Sequence, residues 1–203
     1  MLGDGYHDVP DGKLAVAVTH LQMHKPAPLR GVPLPKGLQF ETLWKDVAEY
    51  RDLFRRIGAD WLWFGRLRLP EPELARIITD PKVQLYTLIK HDRPEALLEL
   101  DFRRDGECEL AYFGLTSALI GSGAGAYLMD RAIEIAWLQE ITRFHVHTCT
   151  IDSPQALPFY IRSGFVPYKR QIEIADDPRC VGLFPADVAA HVPMIRLQNN
   201  AYD

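Results

Sequence analysis

Cysteine is scarce in this chain of 203 residues: Cys108, Cys149 and Cys180 are odd in number and far apart. That pattern argues against a disulfide framework and against a cysteine-based zinc site, and it suits a reducing compartment. No run approaches the roughly 18–20 apolar residues needed to span a bilayer. Residues 1–12 hold acidic side chains, His7 and Pro10 but no charged-then-apolar secretory pattern, so a cytoplasmic setting with no membrane partner is expected. Basic charge is not in excess either. The formal net charge is -4 with both signs interspersed, which leaves no patch or stripe for nucleic acid. Internal repeats and low-complexity tracts are also missing.

What is present is an ordinary globular composition, 47% hydrophobic and 25% charged, in a length that suits one domain with a full core. The expected organisation is a single domain over 1–203. It divides into an N-terminal strand and helices (13–79), a central block (83–174) and a C-terminal loop and strand (175–203). Alternation marks a strand from Lys13 to Met23, and a Pro-rich loop follows from Lys25 to Gly37. Thr42 is expected to open a helix in which Leu43, Val47, Tyr50, Phe54 and Ile57 share a face, with Gly58 as its stop. A short helix is expected around Glu71 to Thr79. Strands follow at Val83–Lys90, Ala96–Arg103 and Glu107–Leu115, with Asp105-Gly106 as a hairpin turn. Gly114 marks either a bulge or a close backbone approach.

Beyond this meander lies Gly121-Ser122-Gly123-Ala124-Gly125-Ala126, ahead of a helix-like run from Gly125 to Glu140. Glycines there remove the Cβ atoms that keep a ligand from the backbone. Free N–H groups and the helix dipole then favour an anion, so the stretch reads as a phosphate or pyrophosphate cradle. A strand from Arg143 to Ile151 completes a strand–helix–strand crossover, which makes the two strands parallel. A short helix (Pro154 to Ser163), a strand (Phe165 to Ile174) and a last strand (His191 to Leu197) close the chain.

The order of these elements, with Gly123-Ala124-Gly125 and with Ala156, Tyr160 and Gly164-Phe165, resembles the GNAT superfamily of N-acetyltransferases. The likeness runs from about Val83 to Ile174, and its specific motifs cover Gly121–Met129 and Asp152–Phe165. It implies an α+β fold: a twisted mixed sheet of about six to seven strands, antiparallel in its N-terminal half, with a central splayed parallel pair and about four flanking helices. It also implies acetyl-coenzyme A as co-substrate, lying between the parallel strands. The loop Gly121, Ser122, Gly123, Ala124, Gly125 and Ala126 would bind its pyrophosphate, and the backbone near Phe113 and Leu115 its pantetheine arm. Ser153 stands where the family has an Asn on the pantetheine side. Ile120 stands where the family has Gln or Arg, so that side chain's contact is missing and weaker binding is expected.

Two residues are the catalytic candidates. Tyr160 matches the family tyrosine that protonates the departing thiolate; packing of an aromatic on the sheet is the competing reading. Glu109, where some family members carry a catalytic glutamate, is the candidate base, on the expectation that half-burial raises its pKa. The competing reading is a solvent-facing strand residue. Asp101 is a lesser candidate. His145, His147 and Cys149 alternate on one face, where packing or lining of the acceptor pocket explains them better than a metal site or an acetyl-cysteine. Core packing likewise accounts for Trp61, Trp63 and Phe64 better than an aromatic acceptor pocket does.

The function expected is direct transfer of an acetyl group, in a ternary complex, to a small-molecule or peptide amine. Two rivals stand. One is a coenzyme-A-binding regulatory or interaction protein without catalysis. The other is a dinucleotide-dependent oxidoreductase, since the glycine stretch also fits Gly-x-Gly-x-x-Ala; its late position and the few strand–helix units after it count against that reading. Oligomeric state is open, a homodimer included.

Overall fold

Alternation along Lys13–Met23, with one change of phase between Val18 and Leu21, buries Leu14, Val16, Val18, Leu21 and Met23 and forms β1. In the computed structural model, which describes residues 3–196, the other strands are β2 (Gln39–Thr42), β3 (Val83–Lys90), β4 (Arg93–Pro94), β5 (Ala96–Asp101), β6 (Glu107–Leu115), β7 (Arg143–Cys149) and β8 (Val166–Asp176). The helices are α1 (Val47–Gly58), α2 (Glu71–Thr79), α3 (Ala124–Trp137) and α4 (Ala156–Arg162). The fold is mixed α+β. One eight-stranded sheet has the order β2-β3-β5-β6-β7-β1-β8, with β4 paired to β3. Every pairing is antiparallel except β6 with β7, as the crossover through α3 requires.

Several boundaries differ from expectation. Thr42 does not open α1; it ends β2, opposite Tyr86 of β3. The helix begins after Asp46, whose carboxylate accepts from Glu49 N at 2.9 Å. β5 stops at Asp101 because that side chain accepts from Arg103 N at 2.9 Å and from its guanidinium. The expected last strand is not formed over 191–196; Leu197 lies outside the described residues. That segment is held instead by Gly12 N, which donates to Ile195 O at 2.7 Å, and by Arg179, whose guanidinium donates to the carbonyl of Val192 and, just before it, to those of Val188 and Ala189 while pairing with buried Asp177.

The slot between β7 and β8 belongs to β1. Since β1 is sixth in the sheet and β2 is first, the Pro-rich link between them crosses the face that carries α3 and α4. Buried Asp130 of α3 ties it down, accepting from Arg30 N at 3.2 Å and Gly31 N at 2.8 Å. The Arg30 guanidinium lies over Phe159 at 5.1 Å and donates to Ser163 Oγ.

Two apolar clusters fill the two faces. One joins β5, β6 and β7 to α3 and α4 around Leu98, Leu128, Phe144 and Phe165. The other packs α1 and α2 on β3 and β5 around Phe54, Leu74 and Leu85. Within the second, the wholly buried Glu99 carboxylate accepts from Tyr50 Oη at 2.5 Å and pairs with Arg66. Burial and the nearby carboxylate push the Tyr50 phenol well up, so it stays a donor. Removing one partner strands the other charge. Glu99→Ala is expected to cost about 3–5 kcal/mol of stability, read by chemical denaturation; a loss below about 1 kcal/mol would show that Arg66 finds another partner.

Candidate functional site

β6 and β7 pair over only three positions, Glu107 with Arg143, Cys108 with Phe144 and Glu109 with His145. Beyond them both strands continue without pairing to each other. The cause is local to β6. Its register against β5 slips so that Leu100 faces Leu110 while Glu99 faces Tyr112, leaving Ala111 as the extra residue of a bulge. The bend swings the end of β6 away from β7, and a cavity of about 510 Å³ opens in the gap.

Gly114 is thus a close approach and not the bulge. A Cβ there would lie 2.3 Å from Ile57 Cγ2 and 2.9 Å from the Trp63 ring, and one on Gly58 would lie 2.4 Å from Trp63 Cβ. Both glycines admit the indole, which spans from α1 across the gap. Its Nε1 donates to Asp152 Oδ1 at 3.1 Å. The other Asp152 oxygen accepts from Thr148 Oγ1 at 2.7 Å and Cys149 N at 2.8 Å, fixing the loop after β7. Trp63 packs on the core as expected, against Phe54 and Tyr112, and is in addition a strut between the two parted strands and a wall of the cavity.

At one end of the gap lies the glycine turn. Gly121 and Gly123 have φ of 79° and 85°, conformations that side chains avoid, and Gly123 caps α3. A Cβ on Gly121 would meet nothing within 4 Å, so the space beside the backbone is open. Ala126 N and Tyr127 N donate to Gly123 O, and Ala124 N to Ser122 Oγ. Among the described residues, Gly121, Gly123 and Gly125 N–H find no acceptor. The start of a helix with such N–H groups holds an anion well. Ile120, 70% exposed at the mouth, adds no charge to it.

Phe113, Leu115, Gly125, Ser153 and Tyr160 all line the cavity. Phe113 stacks on Phe159 at 5.5 Å. Ser153 accepts from Ala156 N at 2.8 Å through its carbonyl, which orients the start of α4. Tyr160 is 7% exposed, with Phe113 and Phe165 edge-on to it. Burial, and Asp152 after it, push its phenol well above the ordinary value, so it stays protonated.

Glu109 departs from expectation in one respect. Its carboxyl is held below the usual carboxylate range, not raised, chiefly by contact with His147. His147 Nδ1 lies 3.4 Å from Glu109 Oε1, and the same contact raises the imidazole above its ordinary value. His147, not Glu109, lines the cavity. Sequence spacing placed these residues on neighbouring strands but gave no register, which is what brings them together. His145 turns to Glu107 at 3.5 Å. Asp101 is engaged by Arg103 and lies outside the cavity; burial raises its carboxyl, but the Arg103 hydrogen bonds outweigh that and hold it low. Burial pushes the Cys149 thiol up to about 12. Among the described residues no three His, Cys, Asp or Glu side chains gather as metal ligands, and no helix is long and apolar enough to cross a membrane.

Trp61, Phe64, Arg68 and Tyr112 form the wall on the α1 side, with Val16 of β1 and Glu173 of β8 opposite. That β1 and β8 contribute to this wall had no signal in the sequence, because it follows from where β1 inserts.

No family model matches the chain, and no curated protein matches it in sequence. Solved structures match it in fold. A GCN5-related N-acetyltransferase from Sphaerobacter thermophilus aligns with a TM-score of 0.59 at 14% identity, over 95% of this chain and 55% of that one. The chain therefore spans little more than half of that protein's length. A GNAT-family protein from Novosphingobium aromaticivorans aligns with a TM-score of 0.56 at 16% identity, over 82% of this chain and 67% of the other. An aminoglycoside acetyltransferase from an uncultured soil metagenomic sample, solved with trehalose and with sisomicin, gives 0.51 at 13% identity, over 63% and 88%. At these identities the likeness is one of fold.

The strut is testable without a ligand. Gly114→Ala is expected to displace Trp63, changing its fluorescence and costing about 1–3 kcal/mol of stability. A variant with wild-type emission and stability would show that the indole is not wedged there.

Proposed function

From the fold of the GCN5-related N-acetyltransferases, which this chain carries, we propose that it is a cytoplasmic enzyme of that superfamily, moving an acetyl group from acetyl-coenzyme A to an amine. The observation that carries the reading is the parted β6–β7 pair, with an anion-ready glycine turn at one end of the gap and Tyr160 beside it.

The residues fit coenzyme A. The unpartnered N–H groups and open space of Gly121–Ala126 suit a pyrophosphate, and the free edge of β6 at Phe113 and Leu115 suits the amides of a pantetheine arm, with Ser153 across the gap. When bound, acetyl-coenzyme A supplies an activated thioester. Tyr160 then donates its proton to the sulfur as the carbon–sulfur bond breaks. His147 takes the proton that the amine loses as its nitrogen bonds to the acetyl carbon, and Glu109 holds the ring. A thiol as weakly acidic as that of Cys149 stays protonated, which supports direct transfer in a ternary complex over an acetyl-cysteine. The acceptor is a small-molecule or peptide amine, received against Trp61, Phe64 and Tyr112.

Titration calorimetry with acetyl-coenzyme A, paired with thiol release over an amine panel, tests this reading. Binding without thiol release from any amine, peptide or alcohol would make the chain a coenzyme-A-binding protein. Tyr160→Phe is expected to lower kcat by about 10²–10⁴-fold with little change in acetyl-coenzyme A affinity, and unchanged turnover would remove Tyr160 from the mechanism. The base is checked by pH. Activity rises as His147 loses its proton, and Glu109 raises that pKa; Glu109→Gln therefore moves the ascending limb to lower pH. A limb that stays in place assigns the proton to another group.

A further inference from the structure

Among the described residues, β8 ends the sheet and pairs only with β1. Along its eleven residues the side chains of Val166, Tyr168, Ile172 and Ile174 are exposed. A long edge strand carrying apolar side chains is a template for further pairing. Pro167 cannot donate, and Tyr168 is the extra residue of a bulge where His20 meets Lys169 and Leu21 meets Pro167. Both features close the first residues of β8 to a partner and leave the run from Lys169 onward regular.

We infer that β8 is the self-association edge of this protein, pairing antiparallel with β8 of a second copy about a two-fold axis at Gln171. Charge along the edge favours a second copy in this register. A two-fold axis normal to the sheet keeps each face on its own side, so a residue must lie on the axis. With Gln171 there, Lys169 of each copy faces Glu173 of the other, and Arg170 faces Ile172. Opposite charges across an antiparallel pair are favourable. Centring on Glu173 instead sets two carboxylates against each other. Glu173 also lines the cavity, so the partner's Lys169 neutralises a charge at the rim of the proposed acceptor site. The inference rests on the strand and not on the proposed chemistry.

Light scattering of the full chain tests it. The expected mass is twice the 23.1 kDa of one chain. Lys169→Glu places like charges opposite each other at two points and is expected to give monomer, with the circular dichroism of the wild type because the side chain is exposed. Adding Glu173→Lys to it reverses both pairs and restores the dimer, which a merely misfolded variant would not do. A monomeric wild type, a dimer indifferent to Lys169→Glu, or a double variant that stays monomeric would each overturn the inference.

Discussion

The parting of β6 from β7 is the constraint on which the rest of the structure turns. A parallel pair normally satisfies its backbone groups along its whole length. Here it does so for three positions and then stops. One added residue, Ala111, supplies the bend, and Trp63 holds the gap from the α1 side through Gly58, Gly114 and Asp152. The open backbone edge, the position of Tyr160 and the placement of the glycine turn all follow from that separation.

Chain order also constrains the molecule. With β1 inserted between β7 and β8, the link to β2 must cross the helical face, and Asp130, Ser163 and Phe159 hold it there. The C-terminal segment, which has no place in the sheet over 191–196, is fastened through Arg179. Polar side chains anchor both segments, because a loop over an apolar surface has no ladder to satisfy its carbonyls and N–H groups.

Surroundings give carboxylates of one type different work. Glu99, wholly buried, is bound to Arg66 and Tyr50 and supports α1 against the sheet. Glu109 and His147 are half open, with side chains 36% and 48% exposed, so solvent weakens their mutual attraction. The raised His147 stabilises the fold at low pH and loses that effect as pH rises through its folded pKa. The lowered Glu109 does so at high pH and loses it as pH falls through its own. Their joint contribution is confined to the window between, and it ends as the imidazole becomes neutral.

Much of the architecture was legible in short-range pattern. Alternation gave β1, Asp105-Gly106 gave the hairpin, and the glycines before α3 gave the turn that leaves N–H groups free. The run from Gly121 to Ala126, with Tyr160 and Gly164-Phe165, was enough to point to the fold. The misplaced start of α1, the last strand and the direction of the Glu109 shift share one cause. Each depends on a partner far away in the chain: Tyr86 beside Thr42, Arg179 against the late carbonyls, His147 against Glu109. The sequence by itself determined most of the longer strands and helices and the anion-ready turn, because those follow from periodicity and from the backbone freedom of glycine. The tertiary structure alone decided the insertion of β1, the Ala111 bulge and the Trp63 strut, since register and strand order are set by packing between segments that local pattern does not connect.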